Sequence, residues 1–331
     1  MAKTEGLTVA VTGPTGTFGF GLMPVLQAEE QIETIVGIAR RPFDPLEHGW
    51  DKMEYRRGDV QDQEALRQAF KGADVVVHLA FLIVGGSRET TQAINVQGTL
   101  NAFRAAAQAG ARRFVYASSI AAYGFHRDNP MSMTEEWPIR PADRLFYAQE
   151  KAELEGLLAE EAAAHPELGL YLLRPPIVLG PHAIGGKLSL PGPLARFNGL
   201  LPTRLVKLPV PLPVVVPDIP MQFIHEDDVG TAIRQCVLGA GPPGAYNIAG
   251  DGTPSLVDVA REFGFLPIAA PARPAYRIAR VLSEIPYLPP AAGWIEAFSH
   301  PSIMDIRKAK TKLGWTPEFT SIEALRDTLK R

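Results

Sequence analysis

The stretch Leu7-Thr-Val-Ala-Val11-Thr-Gly13-Pro-Thr-Gly16-Thr-Phe-Gly19 decides the fold. Leu7–Val11 is short, apolar and rich in β-branched residues, and Gly13 and Pro14 end it at once. That reads as a strand, too short for a secretory apolar region. Three glycines follow at three-residue spacing, and a helical pattern begins. Glycine lets a backbone turn tightly and come close to a pyrophosphate. The following helix N-terminus offers free N–H groups and the positive end of a dipole. Glycines in a loop also make ordinary turns, and the spacing is G-x-x-G-x-x-G rather than G-x-G-x-x-G. The strand before and the helix after favour a dinucleotide site.

Working outward, Thr34–Ile38, Val75–Leu79, Phe114–Ala117 and Leu170–Leu173 read as further strands. Gln63–Phe70, Thr90–Ala109 and Arg144–Ala164 have helical length and apolar spacing. Strands alternating with helices predict an α/β protein with a doubly wound parallel sheet of the Rossmann type. Residues 1–174 are expected to form this dinucleotide-binding domain. Pro191, Pro193, Pro202, Pro209, Pro211, Pro213, Pro217 and Pro220 then crowd one apolar stretch. Proline lacks a donor and fixes φ, so neither a regular helix nor a central strand fits there. Residues 175–331 are expected to form a smaller substrate-binding region. Within it, 221–249 return to the first domain through a helix at Asp227–Leu238 and a strand at Tyr246–Ile248.

Composition excludes several function classes. Of 331 residues 46% are apolar and 21% charged, and 33 Lys+Arg against 36 Asp+Glu leave a net charge of −3. That is too apolar for a disordered chain and too nearly neutral for a nucleic-acid partner. The lone Cys236 permits no internal disulfide. No His/Asp/Glu cluster has ligand spacing, so no metal is expected. The longest apolar region, Leu205–Pro220, is broken by Lys207, Asp218 and prolines, which argues against a membrane helix. With no targeting segment visible, a cytoplasmic protein is expected.

The second strand ends Ile38-Ala39-Arg40-Arg41. An acidic residue there would bind a ribose 2′-hydroxyl and select NAD, and Ala39 cannot. Arg40 and Arg41 would attract a 2′-phosphate through paired, charge-assisted hydrogen bonds, which favours NADP over NAD. They would equally suit a solvated strand end. Asp59, after Gly58, stands where a carboxylate meets adenine or simply makes a turn.

Tyr147 and Lys151 lie four apart on one helix and share a face. An ammonium near a phenol lowers its pKa and makes it a usable acid/base. Ser118 and Ser119 follow the strand Phe114–Ala117, at the sheet edge where such folds bind ligands.

With these residues in order, the chain resembles an extended short-chain dehydrogenase/reductase of the NAD-dependent epimerase/dehydratase type. The resemblance spans nearly the whole chain. It is carried by Gly13, Gly16 and Gly19, by His78-Leu79-Ala80, by Asn95-Val-Gln-Gly98-Thr99 and by Tyr116-Ala-Ser118-Ser119 through Tyr123-Gly124. Tyr147-Ala-Gln-Glu-Lys151, Leu173-Arg174-Pro175, Phe223-Ile224-His225 and Leu313-Gly314-Trp315 continue it. It implies Ser119, Tyr147 and Lys151 as the catalytic set, with Tyr147 passing the proton and Ser118 assisting. Lys151 would lower the pKa of Tyr147 and bind the nicotinamide ribose. Together with the loop reading, it gives a cofactor-contact set. The loop supplies Gly13, Thr15, Gly16, Thr17, Phe18 and Gly19. Arg40, Arg41, Asp59, Val60, Leu79, Ala80, Phe81, Asn95, Ser118, Tyr147, Lys151 and Pro175 complete it.

The chain also departs from the family. Dehydratases place acids directly after the catalytic Ser/Thr, whereas Ile120 and Ala121 stand here. Nucleotide-sugar members place an arginine before Phe223-Ile-His, where Pro220-Met-Gln stands, and another within a stretch that here is Ala291–Ser299 without arginine. Arg273, Arg277 and Arg280 are alternative partners for a diphosphate. The apolar insertion Leu190–Pro220 reads either as a lid or as packing. Phe81, Phe125 and Trp137 read either as pocket lining or as core, His126 and His182 sit on loops at which a substrate cleft would have its border but nothing in the sequence selects them, and His225 reads as a packing residue. The leading expectation is an NADP(H)-preferring oxidoreductase interconverting a ketone and a secondary alcohol on an apolar small molecule. The alternative is a sugar or nucleotide-sugar epimerase with retained NAD, and a non-enzymatic cofactor sensor ranks below both. The resemblance implies a homodimer paired through helices 90–109 and 144–164, whose alanines would equally suit burial within one subunit.

Overall fold

The computed structural model describes residues 6–83, 88–183, 211–274, 276–277 and 300–330. Its strands are β1 (Leu7–Thr12), β2 (Ile32–Ala39), β3 (Met53–Arg57), β4 (Val75–His78), β5 (Arg113–Ala117) and β6 (Gly169–Arg174). β7 (Ile177–Leu179), β8 (Pro213–Pro217), β9 (Phe223–His225), β10 (Gly244–Asn247) and β11 (Leu266–Ala270) follow. Seven of them form one sheet in the order β10-β6-β5-β4-β1-β2-β3, every pair parallel. The strand order reverses between β1 and β4, and ligands bind such sheets outside the carboxyl ends at that point.

Helices cover both faces. They are α1 (Thr17–Ala28), α2 (Gln63–Phe70), α3 (Arg88–Gln92), α4 (Gly98–Gln108), α5 (Phe146–Ala164), α6 (Glu226–Leu238), α7 (Leu256–Glu262), α8 (Arg307–Lys312) and α9 (Ser321–Leu329). Alternation along the strands sorts the core. Val9, Val11, Val75 and Val77 face Leu22 and Leu26 of α1 and Ile233 of α6. Ala10 and Val76 face Phe70 of α2, Phe103 of α4 and Leu154 of α5. Burial on both sides is why these strands read as continuous apolar runs.

The doubly wound parallel sheet expected from the pattern is present, and the differences are local. The region 90–109 is not one regular helix. A π-helical turn at Ala93–Gln97 separates α3 from α4 and carries the buried Asn95. In the proline-rich stretch, 211–220 contains β8, which among the described residues pairs only with β11 in a two-stranded sheet, so no central strand is asked of those prolines. Residues 190–210, Arg280 and Ala291–Ser299 lie outside the described residues. α6 packs on α1, and β10 joins the edge of the main sheet beside β6.

The α1–α6 contact is a backbone approach that only glycine permits. A Cβ on Gly21 would lie 2.3 Å from the Glu226 carbonyl oxygen, and one on Gly230 would lie 2.3 Å from the Gly21 carbonyl oxygen. Gly230→Ala is therefore expected to destabilise by about 1–3 kcal/mol through overpacking. Gly156→Ala, where an added Cβ meets nothing within 4 Å, is expected to be neutral or to stabilise by up to about 1 kcal/mol. Urea unfolding of both variants checks this, and equal effects would overturn it.

Candidate active site

The cradle forms where β1 runs into α1. Gly13 has φ +69°, and a Cβ there would come within 3.0 Å of the Ala80 backbone. A Cβ on Gly19 would sit 1.9 Å from the Pro14 carbonyl oxygen, so Gly19 shapes the loop from beneath. α1 starts with Gly16 as N-cap and no side-chain cap. Its first N–H groups are thus left for an anion.

Two cavities meet at this cradle and share Gly13, Gly16, Leu79 and Phe81. One, of about 230 Å³, extends past Thr15, Ala80, Asp59 and Val60 to Arg40 and Arg41. The other, of about 370 Å³, extends past Thr17 and Phe18 to Ser118, Tyr147 and Lys151. An elongated molecule with a central diphosphate fits this arrangement. Its adenine end would lie at Asp59, and its reactive end at Tyr147. Arg40 and Arg41 are exposed at the far mouth. Their backbone carbonyls accept from Arg57 Nε (3.0 Å, to Arg40) and from the Tyr55 hydroxyl (to Arg41).

At the reactive end, α5 brings Tyr147 and Lys151 against the loop after β5. The Ser119 hydroxyl hydrogen-bonds the Tyr147 phenol and accepts from the Ala121 N–H at 3.2 Å. Lys151 does not stand beside the Tyr147 hydroxyl as a charge that lowers its pKa. Lys151 Nζ donates to the Tyr116 hydroxyl at 3.0 Å and to the Ala117 carbonyl at 2.7 Å. It also lies 3.6 Å from the Phe81 ring centroid. Tyr147 is consequently pushed up from 10.0 by burial, with only the Ser119 hydrogen bond opposing. The helical spacing set a shared face. The Tyr116 and Ala117 acceptors, which spacing does not show, took the ammonium.

Beneath this lies a buried polar network. Arg174 and Glu155 pair at 2.6 Å, with side chains 6% and 5% exposed. Glu155 also accepts from the Ser118 hydroxyl at 2.5 Å. Arg174 Nη1 donates to the Tyr123 hydroxyl at 2.6 Å, which donates to Asn247 Oδ1 at 2.8 Å. Asn95 clamps the Leu82 backbone on both sides and donates to Glu150 at 3.0 Å. It borders neither cavity directly. Pro175 accepts from the Ile120 N–H at 3.0 Å.

Phe81 lines both cavities. Trp137 packs with Tyr123 and Met133, and Phe125 with Ala121, in small core clusters. His126 meets the Arg140 carbonyl at 2.6 Å. His225 caps α6, is 2% exposed and stacks on Phe319 at 4.0 Å.

Sequence reasoning missed the roles of Tyr116, Glu155 and Arg174. Glu155 sits four residues after Lys151, a spacing that placed it on the same face. His78, noted only within a motif, bridges Thr12 Oγ1 at 2.8 Å and Thr99 Oγ1 at 3.0 Å. Burial, aided by the Lys151 charge, lowers its pKa to about 3, so it stays neutral.

Burial also lowers the Lys151 pKa from 10.5 to about 7, against the pull of Glu155 and Glu150. Between those values the unfolded chain holds a proton that the native chain has released. This group therefore adds stability as pH rises through that window. In urea unfolding between about pH 6.5 and 9, the stability of the wild type minus that of Lys151→Met is expected to grow with pH. A pH-independent difference would overturn this.

An uncharacterized protein of Mycobacterium tuberculosis (strain ATCC 25618 / H37Rv) is 25% identical over 96% of this chain and 82% of its own length. Cinnamoyl-CoA reductase 1 of Petunia hybrida is 30% identical over 55% of this chain and 57% of its own. A UDP-glucose 4-epimerase from Thermus thermophilus, solved in complex with NAD, superposes with a TM-score of 0.67 at 25% identity, covering 98% of both chains. The model of the NAD dependent epimerase/dehydratase family matches residues 9–249, from the first strand of the main sheet to its last, and the chain belongs to that family.

Proposed function

We propose that this enzyme is an NADP(H)-preferring oxidoreductase that interconverts a ketone and a secondary alcohol on an apolar small molecule. The observation that carries the reading is Tyr147 at a cavity wall, hydrogen-bonded to Ser119, which no acid follows. Ile120 and Ala121, which come next, form a short 3₁₀ turn and cannot exchange a proton. Elimination chemistry lacks its acid here, whereas carbonyl–alcohol exchange needs only one proton donor and one hydrogen bond to the oxygen.

In this reading Ser119 orients the substrate oxygen and Tyr147 gives or takes its proton. A bound nicotinamide would supply or accept the hydride. Lys151, freed from Tyr116, would bind the ribose. Leu79, Phe81 and Ile83 give the reactive cavity apolar walls, which suits an apolar substrate. Residues 175–331 would complete its far side. Ala39, with Arg40 and Arg41 at the other mouth, supports a 2′-phosphate over a bare ribose. The Petunia hybrida reductase supports carbonyl reduction. The Thermus thermophilus epimerase supports the competing reading, in which NAD is retained and no net redox change occurs.

A carbonyl panel with nicotinamide oxidation as readout tests this. NADPH is expected to exceed NADH in kcat/KM by about tenfold, and replacing both Arg40 and Arg41 by Ala to erase the difference. An NADH preference in the wild type would reject the arginine reading. Protein that carries unexchanged NAD⁺ and turns over sugars without net oxidation would establish the epimerase instead. Tyr147→Phe is expected to lower kcat by about 10²–10⁴ while leaving cofactor affinity nearly intact. Unchanged turnover would overturn the role of Tyr147.

A further inference from the structure

His182 follows the loop after β7 and lines the reactive cavity together with Gly16, Thr17 and Phe18 of the cradle. Its ring is fixed from two sides. Nδ1 lies 2.7 Å from Glu226 Oε1, and its backbone N–H donates to both Glu226 carboxylate oxygens at 3.1 Å. The ring stacks on Phe20 of α1 with centroids 4.7 Å apart and planes 14° from parallel. Phe20 is only four residues past the N-cap Gly16, so the imidazole lies over the first turns of α1.

Glu226 is the unusual member. Its side chain is only 2% exposed, whereas that of His182 is 46% exposed. Burying a carboxylate is costly unless it is fully hydrogen-bonded. Its bonds here go to His182 alone among the described residues. Gly180 is shaped to allow this, since a Cβ there would fall 2.5 Å from the Glu226 Cγ. A buried carboxylate that accepts from one ring nitrogen fixes the ring and aims the other nitrogen, which is a donor when the imidazole carries a proton on both. With Nδ1 engaged, Nε2 is the remaining polar ring atom, and among the described residues it has no partner.

We propose that His182, aimed by Glu226 and held as an imidazolium between that carboxylate and the bound dinucleotide, donates its Nε2–H to the diphosphate. It would act as a side-chain complement to the backbone N–H groups of α1. The inference rests on the reading that the glycine cradle takes a dinucleotide. Its position beside Thr17 and Phe18, at the anion end of the cavity, favours the diphosphate of the cofactor over a substrate group. The Lys151–Tyr147 end is where the substrate would react.

The test is a binding measurement, not turnover. NADPH, ADP-ribose and adenosine 2′,5′-bisphosphate are titrated into wild type, His182→Ala and His182→Gln by calorimetry. The bisphosphate shares the adenine half and lacks the diphosphate bridge. His182→Ala is expected to weaken NADPH and ADP-ribose by about tenfold and to leave adenosine 2′,5′-bisphosphate unchanged. His182→Gln, which keeps an N–H donor, is expected to recover part of the loss. Equal weakening of all three ligands would assign His182 a purely structural role and overturn the proposal. Unaltered ADP-ribose binding would overturn it too. Wild type that binds none of the three ligands would overturn the dinucleotide reading itself, a failure visible before any variant is made.

Discussion

The Glu155 carboxylate buried against the Arg174 guanidinium is the constraint on which the active-site geometry depends. It bolts α5, which carries Tyr147 and Lys151, to β6, next to the edge strand β10 of the sheet. Glu155 lies one turn beyond Lys151 and two beyond Tyr147, so holding it sets the rotation and height of both. The same carboxylate accepts from Ser118, which fixes the loop that presents Ser119. Through Tyr123 and Asn247 the tie reaches β10 at the sheet edge. Net stability is a poor measure of such a pair, because desolvation offsets most of the attraction. What it supplies is position. Moving either partner away would strand a buried charge, so few alternative registers are open.

The second constraint is steric and lies at the other end of the site. Gly13 and Gly19 let the loop after β1 fold tightly against Ala80 and Pro14, and Gly21 and Gly230 bring α6 onto α1. The close α1–α6 approach places Glu226 at the base of the cradle, and Glu226 in turn holds His182 over the first turns of α1. The cradle and the histidine above it thus both depend on missing Cβ atoms, at Gly13 and Gly19 in the loop and at Gly21 and Gly230 between the two helices. Phe81 links the two cavities, lining both, and the Lys151 ammonium, bound to Tyr116 and Ala117, rests on its ring.

Much of this was legible in the chain. The alternation of short apolar runs with helical spacing announced the parallel sheet, because strands buried on both faces must be apolar throughout. The glycines after the first strand announced the cradle, because only they permit the turn. Tyr147, Lys151, Ser118 and Ser119 were visible as a motif, and the structure sets Ser118, Tyr147 and Lys151 along one cavity with Ser119 hydrogen-bonded to Tyr147. What was not legible was which neighbour each polar atom chooses. Lys151 and Tyr147 share a helix face, yet the lysine turns to Tyr116 and Ala117, residues of a strand far away in sequence. His182 carried no local signal, since its partners Phe20 and Glu226 lie at sequence distances that no spacing rule spans.

The sequence by itself determined the sheet, its helices and the residue types that carry the chemistry. Periodicity, glycine conformational freedom and proline exclusion act over a few residues, so they are written locally. Only the tertiary structure decided the pairing of Glu155 with Arg174, the resting place of the Lys151 ammonium, the neutrality of His78 and the aim of His182. Those depend on desolvation and on distances between elements that meet only after the chain has folded.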